Sequence, residues 1–347
     1  MYFSPEPKTK IEDFFDMEEE LKLFRDGLSV GKFIVVTGLR RYGKTSLILT
    51  GLNSLSLDYI FLDCRLLPSG MISVNDFIDV LEDELNRKSW AKEVLQKVEG
   101  VGVGGLSLRF KERNQNTLLK TLEKLENKVL VLDEAQELRR ANYRFDYFLA
   151  YIYDHVNMKV VISGSQVGLL YRFLRIEDPE APLFGRPYIE VRLKRLNTQM
   201  AKQFLKRGFE QVRLEVSGNV IDEAVDAFDG IIGWLTYLGY SYIRSKEPTD
   251  RIIDKASKLS GSEVSHALNV YGVGKKRYVE TLKIVASRNS SRWSEIKRAL
   301  EAKLGKIPNN VLSNILRNLV DQGLLERTNG MYEIADPILR TGILRHL

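Results

Sequence analysis

Two rhythms of apolar and polar residues divide the chain. Up to about residue 192, short unbroken apolar runs recur: Phe33-Ile34-Val35-Val36-Thr37, Tyr59-Ile60-Phe61-Leu62-Asp63, Val129-Leu130-Val131-Leu132-Asp133, Lys159-Val160-Val161-Ile162-Ser163 and Tyr188-Ile189-Glu190-Val191-Arg192. Runs of this length, rich in β-branched residues, read as buried strands. Between them the spacing changes to that of a helix. Residues 74–86 carry Phe77, Ile78, Val80, Leu81 and Leu85 on one stripe, and 118–125 and 145–156 behave alike. Strands alternating with helices predict an α/β fold with a parallel sheet covered on both faces. Residues 100–110 break the pattern with alternating, glycine-rich sequence and predict an inserted hairpin or loop.

Past about Leu196 the spacing is helical throughout, over 198–212, 220–228 and 234–245, then a turn at 246–251 and further helix. A last unit begins near Tyr278. Val279, Leu282, Ile284 and Val285 mark one helix, Trp293, Ile296 and Leu300 a second, and residues 309–322 a third behind Pro308. Residues 323–327 and 331–334 then predict two strands around an Asn329-Gly330 turn. Three helices followed by a hairpin is the layout of a winged helix-turn-helix. The expected domains are residues 1–195, 196–274 and 275–347, in keeping with a length of 347 residues.

Composition narrows the class. A chain with 44% hydrophobic and 28% charged residues can build a core. No apolar stretch is long enough for a membrane helix, and no signal-peptide pattern opens the chain. Cys64 is the single cysteine, which excludes intramolecular disulfides and speaks against a thiolate zinc site. The expected compartment is cytoplasmic. The net charge of +6 is unevenly spread: residues 275–347 hold 14 Lys/Arg against 7 Asp/Glu, the remainder 38 against 39. That surplus suits a polyanion such as DNA, with a solvated basic surface or a protein contact as the plainer readings.

Candidate chemistry sits at the strand ends. Gly38-Leu39-Arg40-Arg41-Tyr42-Gly43-Lys44-Thr45 follows a predicted strand, opens a predicted helix and completes the pattern G-x-x-x-x-G-K-[ST]. The glycines let successive N–H groups turn toward phosphate oxygens, and the helix beginning at Lys44 adds its positive end. Lys44 is placed for the β/γ phosphates and Thr45 for Mg²⁺, with Ser46 next along. Asp133 closes the third strand as a second Mg²⁺ ligand, and Glu134 is the candidate to orient and deprotonate water. Ser165, and after it Ser163, are candidates to sense the γ-phosphate, against a helix-capping role ahead of Val167. Arg186, in Phe184-Gly185-Arg186-Pro187, is a candidate charge stabiliser, and on the residues alone a surface arginine in a turn.

These segments together, Gly38 to Ser46, Leu132-Asp133-Glu134-Ala135-Gln136, Ile162-Ser163-Gly164-Ser165 and Phe184-Gly185-Arg186, resemble the archaeal ATPase family, of the STAND branch of AAA+ type P-loop ATPases. A lead-in segment from Phe14 to Leu21, the helical region and the terminal winged helix are similar as well. The resemblance implies a sheet order 5-1-4-3-2, a nucleotide held between sheet domain and helical lid, and a phosphate-sensing role for Arg186. The chain departs from the family pattern at Met17, where an arginine is usual, and near Gly230-Ile231-Ile232-Gly233-Trp234, where the lid usually carries Gly-x-Pro and this chain has no proline. The expected activity is Mg²⁺-dependent ATP hydrolysis used as a conformational switch, with slow turnover admissible. The alternative is an ATP-regulated DNA-binding protein with negligible hydrolysis. A small-molecule phosphotransferase is disfavoured by Glu134 beside Asp133, a pair suited to activating water.

Overall fold

The computed structural model describes every residue but Gly105 and Leu106. In chain order its elements are α1 (Glu18–Val30), β1 (Phe33–Thr37), α2 (Lys44–Ser54), β2 (Tyr59–Asp63), α3 (Val74–Asn86), α4 (Ser89–Leu95), β3 (Val101–Gly104), β4 (Ser107–Phe110), α5 (Gln115–Lys124), β5 (Val129–Asp133), α6 (Phe145–His155), β6 (Lys159–Gly164), α7 (Val167–Leu174) and β7 (Ile189–Arg192). There follow α8 (Thr198–Gln211), α9 (Gly218–Phe228), α10 (Ile232–Ser245), α11 (Thr249–Ala267), α12 (Lys275–Ser287), β8 (Ser290–Arg292), α13 (Trp293–Leu304), α14 (Asn309–Asp321), β9 (Leu325–Thr328), β10 (Met331–Ile334) and α15 (Pro337–His346).

The chain divides into two compact units. One comprises Lys8–Gly38 and Lys44–Leu193; the other comprises Met1–Pro7, Leu39–Gly43 and Lys194–Leu347. In the first, a five-stranded parallel sheet runs in the order β2-β5-β6-β1-β7. Counted over its own strands and from the other edge, this is the predicted 5-1-4-3-2. Every residue of β1 and β5 is buried, as continuous apolar runs require when helices cover both faces. Local signals fix the helices: Ser73 and Asp76 form a reciprocal capping box at the start of α3. β3 and β4 pair antiparallel, as the hairpin reading of residues 100–110 expects, with Gly105 and Leu106 of that segment outside the described residues.

The second unit is helical except for the three-stranded sheet β8-β10-β9. Phe3, fully buried, meets the glycines of α8 and α10: a Cβ on Gly208 would come within 2.2 Å of its ring and one on Gly239 within 2.4 Å. The apolar stripes of α12, α13 and α14 close around Leu282, Val285, Ile296, Leu300, Leu312 and Leu316. Asn329 and Gly330 both adopt positive φ at the β9–β10 turn, the demand that selects Asn-Gly there. The polar run Ser290–Arg292 gave no strand signal, yet it pairs with β10 and completes the winged-helix sheet.

Candidate active site

The site grows from strand ends. Parallel register sets Thr37 of β1 opposite Gly164 of β6, and Asp63 opposite Asp133 of β5. Open α/β sheets bind ligands at this carboxyl edge. From Thr37 the chain turns at Gly38 (φ 146°) and, after Gly43 (φ 86°), enters α2. Both angles lie where a side chain is strained, and a Cβ on Gly38 would also press to 3.1 Å from the Leu193 carbonyl oxygen.

At the start of α2, the Lys44 ammonium is buried and donates to the Gly38 carbonyl at 2.8 Å. The Thr45 hydroxyl donates to Asp133 Oδ2 at 2.9 Å. The Ser163 hydroxyl donates to Asp133 Oδ1. The Ser46 hydroxyl instead accepts from the backbone N–H of Lys8 at 3.0 Å. Burial raises the Asp133 carboxyl above its ordinary value, against the opposing pull of Ser163. The oxygens of Thr45 and Asp133 lie side by side and are hard donors of the kind Mg²⁺ takes. Among the described residues no group of three His, Cys, Asp or Glu could hold a metal unaided, so an ion here would complete its shell with water and substrate phosphates.

Glu134 has an uncommon backbone, at φ 53°. Its Oε2 accepts three hydrogen bonds: from Ser165 N at 3.0 Å, Ser165 Oγ at 2.6 Å and Gln136 Nε2 at 2.7 Å. Burial pushes this carboxyl up, but the Lys44 charge and the Ser165 and Gln136 hydrogen bonds outweigh it and hold the group below its ordinary value. The Ser165 hydroxyl is thus spent on Glu134, and α7 starts from Gln166 with no side-chain cap. Gln136 was no candidate on sequence grounds, though it ended the Leu132–Gln136 motif. It is buried, and its own Oε1 has no partner. An unpaired buried amide oxygen costs about 1–3 kcal/mol, so the bond to Glu134 is held against a penalty.

Arg186 is not brought to these residues. Its guanidinium pairs with both oxygens of Asp154, at 2.6 and 3.1 Å, and donates to the Pro182 carbonyl. Asp154 lies near the end of α6. The neighbouring Tyr153 carbonyl takes the ammonium of Lys32, the residue just before β1. Arg186 therefore sits at the amino edge of the sheet, while the loop leaves β1 at the carboxyl edge. Its strand β7 pairs Ile189 with Ile34, near the amino end of β1. The family resemblance implied a phosphate contact for Arg186, and the residues alone a surface arginine in a turn; the direction of the parallel strand and the pairing with Asp154 agree with the second.

The loop tip, Leu39–Gly43, belongs with the helical unit. Arg41, at φ 67°, turns its side chain away from the loop. The guanidinium lies 3.8 Å from the Trp234 ring centroid and makes a forked pair with Glu263 at 2.6 and 3.1 Å. Arg40 reaches the same carboxylate at 3.3 Å but is mostly exposed. Tyr42 is buried, and burial followed by the charge of Glu326 pushes its hydroxyl up to about 12. The side chains of Arg41 and Tyr42 thus serve the second unit.

No curated protein matches the chain. Residues 14–238 match an ATPase domain predominantly from Archaea, and residues 273–335 match the C-terminal winged helix-turn-helix domain of MCM proteins. Among solved structures, the chain is similar to the Walker-type ATPase PABY2304 of Pyrococcus abyssi, with 33% identity and a TM-score of 0.85 over 99% of each chain. It shares its fold with Cdc6p of Pyrobaculum aerophilum at 13% identity and a TM-score of 0.50, over 99% of this chain and 96% of that one. The Holliday junction branch migration motor RuvB of Thermotoga maritima matches more loosely, at 16% identity and a TM-score of 0.47 over 96% of each chain. Among the described residues, no helix is long and apolar enough to cross a membrane. The phosphate loop and Asp133-Glu134 at the carboxyl edge of the sheet accord with these matches: the chain belongs to the archaeal ATPase family, an ATP-binding P-loop ATPase with a C-terminal winged helix.

Proposed function

We propose that the protein is a Mg²⁺-dependent ATPase in which Glu134 is the general base, and that hydrolysis drives a switch reported through the winged helix. The observation that carries the catalytic part is the asymmetry of the Glu134 carboxylate. Oε2 takes all three hydrogen bonds from Ser165 and Gln136, so Oε1 is left to accept a proton from water. Holding one oxygen fixes the other, and the lowered proton affinity keeps the group ionised at neutral pH. Backbone N–H groups of residues 38–45 bind the phosphates. Lys44 gives up its bond to Gly38 and offers its charge to the β/γ oxygens. Thr45 and Asp133 would hold Mg²⁺, which when bound would supply positive charge to offset that of the phosphates. Water then attacks the γ-phosphorus in line, passing its proton to Glu134, and ADP is the leaving group. Ser165, through Glu134, makes the active site sensitive to whether the γ-phosphate is present.

The winged-helix partner is read as DNA. Along α14, Asn310, Ser313, Asn314 and Arg317 are exposed at helical spacing and share one face, a row of hydrogen-bonding side chains. Arg277, Arg298, Lys306 and Arg327 add exposed positive charge on the same module. The experiment is duplex-DNA anisotropy with the full chain, with and without ATP, across a salt series, alongside phosphate release. Binding that depends on nucleotide and falls with salt supports the switch acting on DNA. Turnover with no DNA binding at low salt transfers the module to a protein partner. DNA binding without turnover would leave the regulator reading and remove Glu134 as a base.

A further inference from the structure

The tip of the phosphate loop is fastened by residues that no nucleotide chemistry requires. Arg41 carries a left-handed backbone, which is strained for a residue with a side chain and persists only where its surroundings over-determine it. Those surroundings are three contacts within the helical unit. The Gly233 N–H donates to the Arg41 carbonyl at 2.9 Å. The guanidinium lies 3.8 Å from the Trp234 ring centroid. Glu263 of α11 accepts both guanidinium arms. The approach at α10 is so close that a Cβ on Gly233 would fall 2.5 Å from the Cβ of Arg41.

The contacts continue past the loop. Trp234, itself almost wholly buried, donates its Nε1–H to Asp336 Oδ2 at 2.7 Å. The other carboxylate oxygen of Asp336 caps α15 by accepting from Ile338 N at 2.7 Å and Leu339 N at 3.2 Å. α15 packs along α11, the helix that carries Glu263. At that crossing a Cβ on Gly342 would come within 2.5 Å of the Ser257 carbonyl oxygen. One chain of part-buried side chains, centred on the buried Trp234, therefore links the loop tip to the last helix: Arg41 to Trp234 to Asp336, with Arg41 to Glu263 as a second arm into α11. A stacked, forked arginine is hard to replace, since a lysine keeps the charge and loses both the fork and the planar stack.

We propose that Trp234, Glu263 and Asp336 are positioning residues for the phosphate loop, holding Arg41 so that the loop's N–H groups are preset for phosphate and so that nucleotide occupancy is read at α15. The proposal rests on ATP binding at residues 38–45 and deepens the switch reading by naming its first relay. It treats Arg41 as the joint between the loop and the winged-helix module, not as a phosphate ligand.

The test uses the full chain as wild type, Glu263→Gln, Glu263→Ala, Arg41→Ala and the Arg41→Ala/Glu263→Ala double variant. Binding of a fluorescent ATP analogue, steady-state kinetics and amide hydrogen exchange are measured with and without nucleotide. Glu263→Ala and Arg41→Ala are each expected to raise KM for ATP about tenfold while kcat stays within about twofold, because the chemical groups are untouched. The double variant should be no worse than the poorer single one, since both remove the same contact. In wild type, nucleotide should slow exchange in residues 337–346, and the response should vanish in the variants. Glu263→Gln, nearly isosteric, keeps the test alive if the alanine variants fold poorly, and it should give an intermediate KM. Additive losses in the double variant, a fall in kcat with KM unchanged, or α15 amides indifferent to bound nucleotide would each overturn the relay while ATP binding stands. A wild-type chain that does not bind the analogue would overturn the binding reading and the relay together.

Discussion

Replacing Glu134 by glutamine separates binding from chemistry. The side chain keeps its length, and its amide oxygen can occupy the present position of Oε2, accepting from Ser165 N, Ser165 Oγ and Gln136 Nε2 as the carboxylate does. What then faces the attacking water is an NH₂ group, a donor where an acceptor was. The fold is retained and the base is lost. General-base catalysis contributes about 10²–10⁴-fold, so kcat should fall by that factor, equivalent to roughly 3–5 kcal/mol of barrier. Affinity should move the other way. Glu134 adds negative charge beside Asp133 and raises the Asp133 carboxyl. Removing that charge eases ionisation of Asp133 and lessens repulsion of the triphosphate, so ATP should bind as tightly as before or more tightly. The assay is single-turnover phosphate release at saturating ATP with MgCl₂, paired with titration of a fluorescent ATP analogue. A glutamine variant that releases phosphate within about threefold of wild type would refute Glu134 as the base. One that loses ATP binding would show that the carboxylate holds the loop rather than the water.

Lys44→Ala removes a charge-assisted contact worth about 1.5–3 kcal/mol to phosphate, so the affinity for ATP, read by the same titration, should drop roughly ten- to a hundredfold. Arg186→Ala should leave both KM and kcat near wild type, since its partner is Asp154 at the amino edge of the sheet; a large fall in kcat would restore the phosphate contact that the geometry removes. Gly208→Val would drive a side chain into the Phe3 ring. Overpacking of this kind costs about 1–3 kcal/mol, so thermal denaturation should shift down while the affinity for ATP holds.

The sheet and the phosphate loop were legible because each is written locally. A five-residue apolar run ending at glycine, lysine and threonine needs no distant partner to be read, and Phe33–Thr37, Val129–Asp133 and Val74–Asn86 have the ends the pattern gave them. Reading failed where a residue's meaning depends on something far away in sequence. Arg186 lies two residues before the predicted fifth strand, and sequence order says nothing of which edge of the sheet a strand's first residues reach; the parallel pairing of Ile189 with Ile34 decides it. Arg41 was legible as a member of the loop, but its partner Glu263 is 222 positions away on the exposed-looking side of a helix whose own spacing gives no reason to single it out. Gln136 is an intermediate case. Its place two residues after Glu134 was visible, whereas the turn that folds its amide back onto that carboxylate requires Glu134 at φ 53°, a conformation glutamate seldom adopts. Both strained non-glycine residues of the site, Arg41 and Glu134, are held by long-range or back-folded side-chain contacts. A local pattern can announce which atoms meet phosphate; the groups that keep those atoms in place come from contacts the chain acquires only once it is folded.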